Sequence, residues 1–146
     1  MQTDSTLGQL ADSAWTDFMA KLEAAEHEFA QGRPAAFKAL WSHSGDVSIC
    51  GAFGGVESGW DKVASRLDWA SSQFSEGTRS REEIRSTVGT DFAYLVQTEH
   101  IRFRVPGRTD PSTLDLRVTM VFRREPDGWR IVHRHADSQR NTQLPR

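Results

Sequence analysis

LDLRVTMVFRREPDGWRIVHRHAD, residues 114–137, holds the clearest structural pattern in this chain of 146 residues. Apolar and polar residues alternate in Leu114–Arg124 and again in Trp129–Asp137, and Glu125-Pro126-Asp127-Gly128 separates the two runs. Alternation with a period of two is typical of a strand that buries one face, and Asp-Gly between two such runs is typical of a turn. The stretch therefore predicts two long antiparallel strands joined by a hairpin.

Two more strands are predicted upstream of this hairpin. Ile84, Ser86 and Val88 alternate, a turn follows at Gly89-Thr90-Asp91, and residues 92–105 are rich in aromatic and β-branched side chains. No helical segment separates these late strands, as parallel βαβ units would require. We therefore expect the second half of the chain to form an antiparallel meander.

The first half of the chain is predicted to be mainly helical. The first helix has an apolar stripe at spacings of three and four residues, formed by Trp15, Phe18, Leu22, Ala25 and Phe29. Pro34 begins a short second helix, and Ser58 precedes a third helix whose apolar stripe runs from Trp60 to Phe74. A short strand around Ile49 and a glycine-rich bend at residues 51–55 lie between the second and third helices.

This order of elements predicts an α+β fold, in which a cone-shaped, curved antiparallel sheet wraps around three N-terminal helices. Residues 12–137 are predicted to form one domain. Residues 1–11 and 138–146 lack periodicity and are predicted to be flexible tails. A small molecule would bind in the wide mouth of such a cone.

Composition argues against several classes of partner. The chain has 18 Lys and Arg against 20 Asp and Glu, so its net charge of −2 gives no electrostatic reason to bind nucleic acid or anionic lipid. The lone Cys50 cannot form an intramolecular disulfide, and no apolar run approaches the ~20 residues of a membrane-spanning helix. No signal-peptide pattern opens the sequence, and we therefore expect a cytoplasmic location without membrane or nucleic-acid partners.

Several short motifs occur in a characteristic order. They are Trp41-Ser42-His43 with Asp46, Gly51–Gly55, Gly59-Trp60-Asp61, Leu67–Ala70, Gln97–His100, Leu116–Thr119, Phe122–Arg124 and Trp129–Asp137. Together they resemble the SnoaL-like, ketosteroid-isomerase-like branch of the nuclear-transport-factor-2-like superfamily, over about residues 12–137. The resemblance implies a nuclear-transport-factor-2-like or cystatin-like α+β barrel with a small-molecule pocket and no cofactor. It also implies a homodimer that pairs through the outer face of the sheet.

The resemblance further implies which side chains face the pocket. Arg117, Thr119, His133 and His135 are expected to look into the cone, with Glu99 as the ion-pair partner of Arg117. This orientation leaves an apolar outer face for the homodimer to cover, made of Leu116, Val118, Met120 and Phe122. The opposite orientation, with this apolar face turned inward, stays open at this point.

Candidate site residues follow from their chemistry. His133 and His135 are candidate catalytic residues because imidazole transfers protons near neutral pH, and Arg117 would support an anion. The candidate ligand-pocket residues are Trp41, His43, Phe53, Trp69, Glu99 and Thr119. Two histidines alone do not supply the three or four protein ligands that zinc takes, so we expect no metal. Cys50 is interpreted as a small buried filler.

Three functions remain open. The leading interpretation is a protein that binds a small, mostly apolar molecule, which can also carry a negative charge. This function needs only a pocket. The alternative is a cofactor-independent isomerase, cyclase or dehydratase acting on a polyketide-, terpenoid- or steroid-like substrate, which needs an acid and a base at short range. A structural or oligomerisation module is the third, and it predicts a cone filled by side chains.

Overall fold

A computed structural model of the protein describes the backbone of residues 2–139 and the side chains of residues 13–139. The helices are α1 (Gln2–Ala30), α2 (Ala35–Ala39) and α3 (Trp60–Ser71). The strands are β1 (Ser48–Cys50), β2 (Val56–Ser58), β3 (Ser75–Val88), β4 (Phe92–Arg104), β5 (Pro111–Glu125) and β6 (Gly128–Ser138). The domain limits of 12–137 and the flexible tails stay predictions. Helix α1 begins at Gln2, and residues 1 and 140–146 lie outside the described part.

The described strands form one curved sheet in the order β2-β1-β6-β5-β4-β3. Neighbouring strands are antiparallel, except that β1 runs parallel to β6. Strands β2 and β3 are the two edges, so the sheet does not close on itself. The predicted α+β fold, with helices followed by a curved sheet, is confirmed.

The core lies between the helices and the inner face of this sheet. The ring of Trp15 on α1 meets the rings of Phe122 on β5 and Trp129 on β6, with centroids 5.1 and 5.3 Å apart. Val63 and Leu67 of α3 are fully buried as well. The apolar stripes that predicted these helices are thus the faces that they turn toward the sheet.

Strand β5 has the orientation opposite to the one that the resemblance implied. Its apolar residues Leu116, Val118, Met120 and Phe122 are each at most 2% exposed. Arg117 and Thr119 lie on the outer face instead. Burying an aliphatic or aromatic side chain stabilises a fold by about 1.5–3 kcal/mol, and the helices cover this face. The expected apolar outer face made of these four residues is therefore wrong.

Strand β6 contains a β-bulge that sequence alternation does not reveal. The register with β5 shifts so that Val132 is an extra residue between two paired positions. Ile131 before the bulge is fully buried, and after it Arg134 lines the interior, whereas His133 and His135 lie on the outer face. The inserted residue reverses the facing of every side chain that follows it.

Strand β3 is longer than predicted, because it begins at Ser75 and not near Ile84. Its sequence is highly polar, as suits an edge strand exposed along much of its length, and it therefore gives little hydrophobic signal. The short edge strand β2 was not predicted. Within the described residues, no helix is both long and apolar enough to span a membrane.

Candidate functional site

A cavity of about 70 Å³ lies between the helices and the inner face of the sheet. Its apolar wall is made of Phe29, Phe37, Leu67, Phe74, Ile101 and Leu116. The glycine-rich bend contributes Gly51, Ala52 and the partly exposed Phe53. The volume is below the several hundred Å³ typical of pockets for drug-sized ligands, so the cavity suits a small molecule or one end of a larger one.

Four charged residues complete the lining, and each comes from a different element. Glu26 lies on α1, Arg79 on β3, Glu99 on β4 and Arg134 on β6. We call these four residues the buried charge cluster. The side chains of Arg79, Glu26 and Glu99 are 3%, 6% and 1% exposed, so their charges face one another and not the solvent.

Glu99 is the centre of the cluster. Arg134 donates two hydrogen bonds to it, from Nη1 to Oε2 over 3.1 Å and from Nη2 to Oε1 over 3.0 Å. Gln97 Nε2 donates to the same Oε2 over 2.7 Å, and Arg79 Nη2 lies 3.3 Å from it. Paired arginine and carboxylate groups of this geometry are the stronger kind of ion pair.

Glu26 forms an ion pair with Arg79, yet its Oε1 is buried without a hydrogen-bond partner among the described residues. Arg134 Nη1 lies 3.8 Å from this oxygen, beyond hydrogen-bond distance. An unpartnered buried polar atom costs about 1–3 kcal/mol. Because Glu26 lines the cavity, a donor group on a bound molecule would satisfy it.

The two carboxyl groups of the cluster have opposite pKa shifts. Burial raises the pKa of Glu26 to about 7, against the attraction of Arg79 and with added repulsion from Glu99. Burial also opposes ionisation of Glu99, but Arg134 and Arg79 together lower the pKa of this group to about 2. Glu99 is therefore the permanent anion, and Glu26 exchanges its proton near neutral pH.

The shift at Glu26 predicts a pH dependence of stability. Between its ordinary pKa of 4.5 and about 7, the folded chain holds a proton on Glu26 that the unfolded chain has lost. The free energy of unfolding should therefore fall as pH rises through this window, by more than about 1 kcal/mol. Urea unfolding of wild type and Glu26→Gln at pH 5 and pH 7 tests this, since the variant should lose most of the fall. An equal fall in both proteins would contradict it.

Glu99 forms the buried ion pair that was expected of it, but its partners are Arg134 and Arg79 and not Arg117. Arg117 lies on the outer face with its side chain 66% exposed, and it bonds Asp137 over 2.9 and 3.0 Å. The predicted pairing of Glu99 with Arg117 is therefore wrong. The physical reason is that the sheet separates the two side chains.

The candidate pocket residues divide between several places. Phe53 and Glu99 line the cavity. Trp69 lies at its rim, where its ring contacts that of Phe53 with centroids 5.6 Å apart, and Arg66 covers its face at 4.3 Å. These aromatic side chains, together with the glycine-rich bend, form the partly exposed edge of the cavity.

The remaining candidates lie outside the cavity. Trp41 is buried in the core and does not line it. His43 is exposed and stacks on Trp60, with ring centroids 4.0 Å apart. Thr119 lies on the outer face of β5, opposite His135 on β6. The structure therefore does not bring these three residues together with Phe53 and Glu99.

The two histidines proposed for proton transfer also lie on the outer face. Ser48 Oγ is 2.8 Å from Nδ1 of His133, and burial together with the charge of His135 lowers the pKa of His133. Neither histidine lines the cavity. A catalytic role for His133, His135 and Arg117 stays a prediction, and the cavity supplies a different set of titratable groups.

Sequence reasoning missed Glu26, Arg79 and Arg134. Glu26 left a detectable signal, because it follows Leu22 by four residues and so lies on the buried side of α1. A carboxylate at such a position is unusual unless it is paired. Arg134 was hidden by the bulge, and Arg79 by the polar sequence of β3.

Comparison with known proteins supports the same architecture. A family model described as a SnoaL-like domain matches residues 17–137. No curated protein matches the chain.

Three solved structures of similar fold belong to proteins that are named for different activities. One is a candidate dehydratase of the NTF2-like family from Streptomyces avermitilis, 21% identical, with a TM-score of 0.74 over 89% of this chain and 99% of that one. Another is a ketosteroid isomerase-like protein from Erwinia carotovora atroseptica, 13% identical, with a TM-score of 0.70 over 85% and 95%. The third is a type 2 hexachlorocyclohexane dehydrochlorinase, LinA, 11% identical, with a TM-score of 0.73 over 94% and 93%.

Proposed function

The chain belongs to the SnoaL-like domain family, and from this premise we propose that it binds a small, mostly apolar molecule in the cavity that contains the buried charge cluster. The observation that carries the proposal is the unpartnered Oε1 of Glu26 in a cavity with apolar walls. An enol or protonated carboxyl group of the ligand would donate to Glu26, and a carbonyl oxygen would accept from Arg79. The apolar part of the ligand would lie against the aromatic wall.

The aromatic wall sets the shape that the ligand must have. The rings of Phe29 and Phe37 are 5.2 Å apart, and Phe74 packs 6.0 Å from Phe29 and 5.7 Å from Phe53. Flat apolar rings in such contact favour a planar or cyclic ligand. Phe53 is 38% exposed, so it occupies the edge through which a ligand would enter.

A second candidate function is acid–base catalysis in the same cavity. Glu26 has a pKa raised to about 7, near the value at which a general base or acid works best at neutral pH. Arg79 beside it would stabilise an oxyanion that develops on a bound carbonyl compound. The corresponding reaction class is the isomerisation, cyclisation or dehydration of a polyketide-, terpenoid- or steroid-like substrate, without a cofactor.

Thermal shift with a panel of short carboxylic acids, cyclic enones, steroids and aromatic polyketides tests the binding proposal. We expect Glu26→Gln to weaken the best hit by about 10–100-fold, which is the loss of one charged hydrogen bond. Glu28→Gln is the matched control, because Glu28 is on the same helix and its side chain is 42% exposed and pairs with Arg33 at the surface. It should leave affinity within about twofold. If Glu26→Gln changes no hit, the cavity is not the binding site.

The catalytic alternative is tested on the same hits. Proton NMR in D₂O should show exchange of hydrogens next to the carbonyl, or conversion to an isomer, in wild type and not in Glu26→Gln. If wild type binds a compound but neither exchanges its hydrogens nor converts it, the catalytic alternative is wrong and the binding proposal stands.

We further propose that two copies pair through the outer face of the sheet, although not through the residues first expected there. Exposed apolar side chains on this face include Phe92 and Tyr94 of β4, which are 55% and 40% exposed. Tyr94 pairs across the sheet with Val121, which extends the patch toward β6. An apolar patch of this kind marks an interface more often than free surface.

Sedimentation velocity measures this assembly directly. At micromolar concentration, wild type should have twice the chain mass of 16.4 kDa, whereas Tyr94→Arg should have the mass of a single chain. Arg102→Glu on the same strand, whose side chain is exposed beyond the patch, serves as the matched surface control and should stay paired. A wild-type chain that stays monomeric would contradict the pairing.

A further inference from the structure

A second cluster of reactive side chains lies on the other side of the sheet from the cavity. It consists of Cys50 on β1 and of His133 and His135 on β6. One ligand atom from each residue, the thiol sulfur and a ring nitrogen of each imidazole, lies within 4.8 Å of the other two. We propose that these three side chains bind a zinc-type transition-metal ion, with a fourth position open to water or to an exogenous ligand.

The topology of the sheet builds this cluster from distant parts of the sequence. Strand β1 runs parallel to β6, and the register places Cys50 directly beside His135. His133 lies two residues earlier on β6 and therefore points to the same face. The bulge at Val132 turns both imidazoles outward, toward the thiol of Cys50. Sequence reasoning found no third ligand because this parallel pairing is not local.

A hydrogen bond to a neighbouring side chain orients one of the proposed ligands. Ser48 Oγ lies 2.8 Å from Nδ1 of His133, and Ser48 is the residue that pairs with His133 across the strands. Metal-bound histidines are almost always held in this way through the ring nitrogen that does not bind the metal. The contact leaves Nε2 of His133 for the ion, so Ser48 acts as a positioning residue.

The ligand set selects the kind of ion. Thiolate and imidazole favour Zn²⁺, Co²⁺ and Cu⁺ over Mg²⁺ and Ca²⁺, which prefer oxygen ligands. Three protein ligands with an open fourth position are the pattern of reactive rather than structural zinc sites. Metal–ligand bonds of about 2.0–2.3 Å place tetrahedral ligand atoms roughly 3.3–3.8 Å apart, so small side-chain rotations from the present separations complete the site.

In a single chain the site is accessible to an ion, and it borders the patch proposed for pairing, because Val121 pairs with His133. His135 is exposed, and Cys50 and His133 are each half-buried. Cys50 is the only cysteine of the chain, so every thiol signal reports on this position. The cavity opens on the opposite face of the sheet, and binding at the two places can therefore be measured separately.

Titration of the untagged full chain with Co²⁺ tests the proposal by its spectrum. We expect one ion per chain, a thiolate-to-cobalt charge-transfer band in the near ultraviolet, and the intense visible bands of a tetrahedral site. Cys50→Ser should abolish the charge-transfer band, and both it and His135→Ala should weaken binding by at least about 100-fold, since even loss of an outer-shell partner costs 10–100-fold. His100→Ala is the control, because His100 is exposed and pairs with Asp115 away from the cluster.

A second pair of variants separates positioning from folding. Ser48→Ala should weaken Co²⁺ binding by about 10–100-fold while keeping the charge-transfer band, whereas Ser58→Ala on the neighbouring strand should change neither. Zn²⁺ should also slow the reaction of Cys50 with a thiol reagent. Circular dichroism of each variant confirms that it is folded. The proposal would be wrong if the cobalt spectrum is octahedral and Zn²⁺ leaves the thiol reactivity of Cys50 unchanged. It would also be wrong if folded Cys50→Ser binds Co²⁺ as tightly as wild type.

Discussion

Replacing Glu99 with alanine is expected to lower the free energy of unfolding by about 3–5 kcal/mol, the loss typical of breaking a buried ion pair. The substitution leaves the guanidinium groups of Arg134 and Arg79 in the interior without their main counter-charge. It also removes the acceptor of the Gln97 side chain. Urea unfolding at pH 7 measures the change. If Glu99→Ala does not fold, Glu99→Gln keeps the side-chain volume and should show a smaller loss in the same direction.

Asp137→Ala is the matched control for this prediction. Asp137 accepts two hydrogen bonds from Arg117, but both side chains are largely exposed on the outer face. Solvent screens such a pair, so the expected loss is below about 1 kcal/mol. Equal losses in the Glu99 and Asp137 variants would show that the buried charge cluster is not the main electrostatic element of the fold.

Met120→Lys is expected to lower the free energy of unfolding at least as much as Glu99→Ala. Met120 is fully buried on the inner face of β5, and its sulfur lies 3.6 Å from Nη1 of Arg134, so Met120→Lys would bury a second positive charge beside that guanidinium. The expected loss is about 4 kcal/mol or more. Thr113→Lys on the exposed side of the same strand should change stability by no more than about 0.5 kcal/mol.

These two lysine variants also test the orientation of β5. The orientation in the structure predicts that only Met120→Lys unfolds more easily in urea. The orientation implied by the family resemblance would place position 120 outside and predict little effect there. A tolerated lysine at position 120 would therefore contradict the position of the buried charge cluster as well as the packing of the strand.

The cavity and the Cys50 cluster use opposite faces of one sheet, and β6 contributes to both. Arg134 enters the cavity, while His133 and His135, its two neighbours in the sequence, lie outside. Alternating side chains make this division possible within three residues. The two sites can therefore be removed independently, and a variant of one serves as a control for the other.

Much of the fold could be predicted because its signals are local. The apolar stripe of α1, the stripe of α3 and the alternation in β5 each lie within one segment, and the order of these segments already indicates an α+β fold. Glu99 could be expected as a paired carboxylate, but its partners Arg79 and Arg134 could not, because they lie on other strands. Edge strand β3 could be predicted only in part, since its polar sequence carries little hydrophobic pattern.

Alternation along β5 defines two faces, but it does not say which one the helices cover. That was decided by packing, which buries Met120 and Phe122 and leaves Arg117 in solvent. The single extra residue Val132 then reversed the facing of the end of β6, and the parallel pairing of β1 brought Cys50 to the histidines. Helices, strands and family thus follow from local patterns, whereas both candidate sites depend on register between distant strands, which is fixed only when the whole sheet packs against its helices.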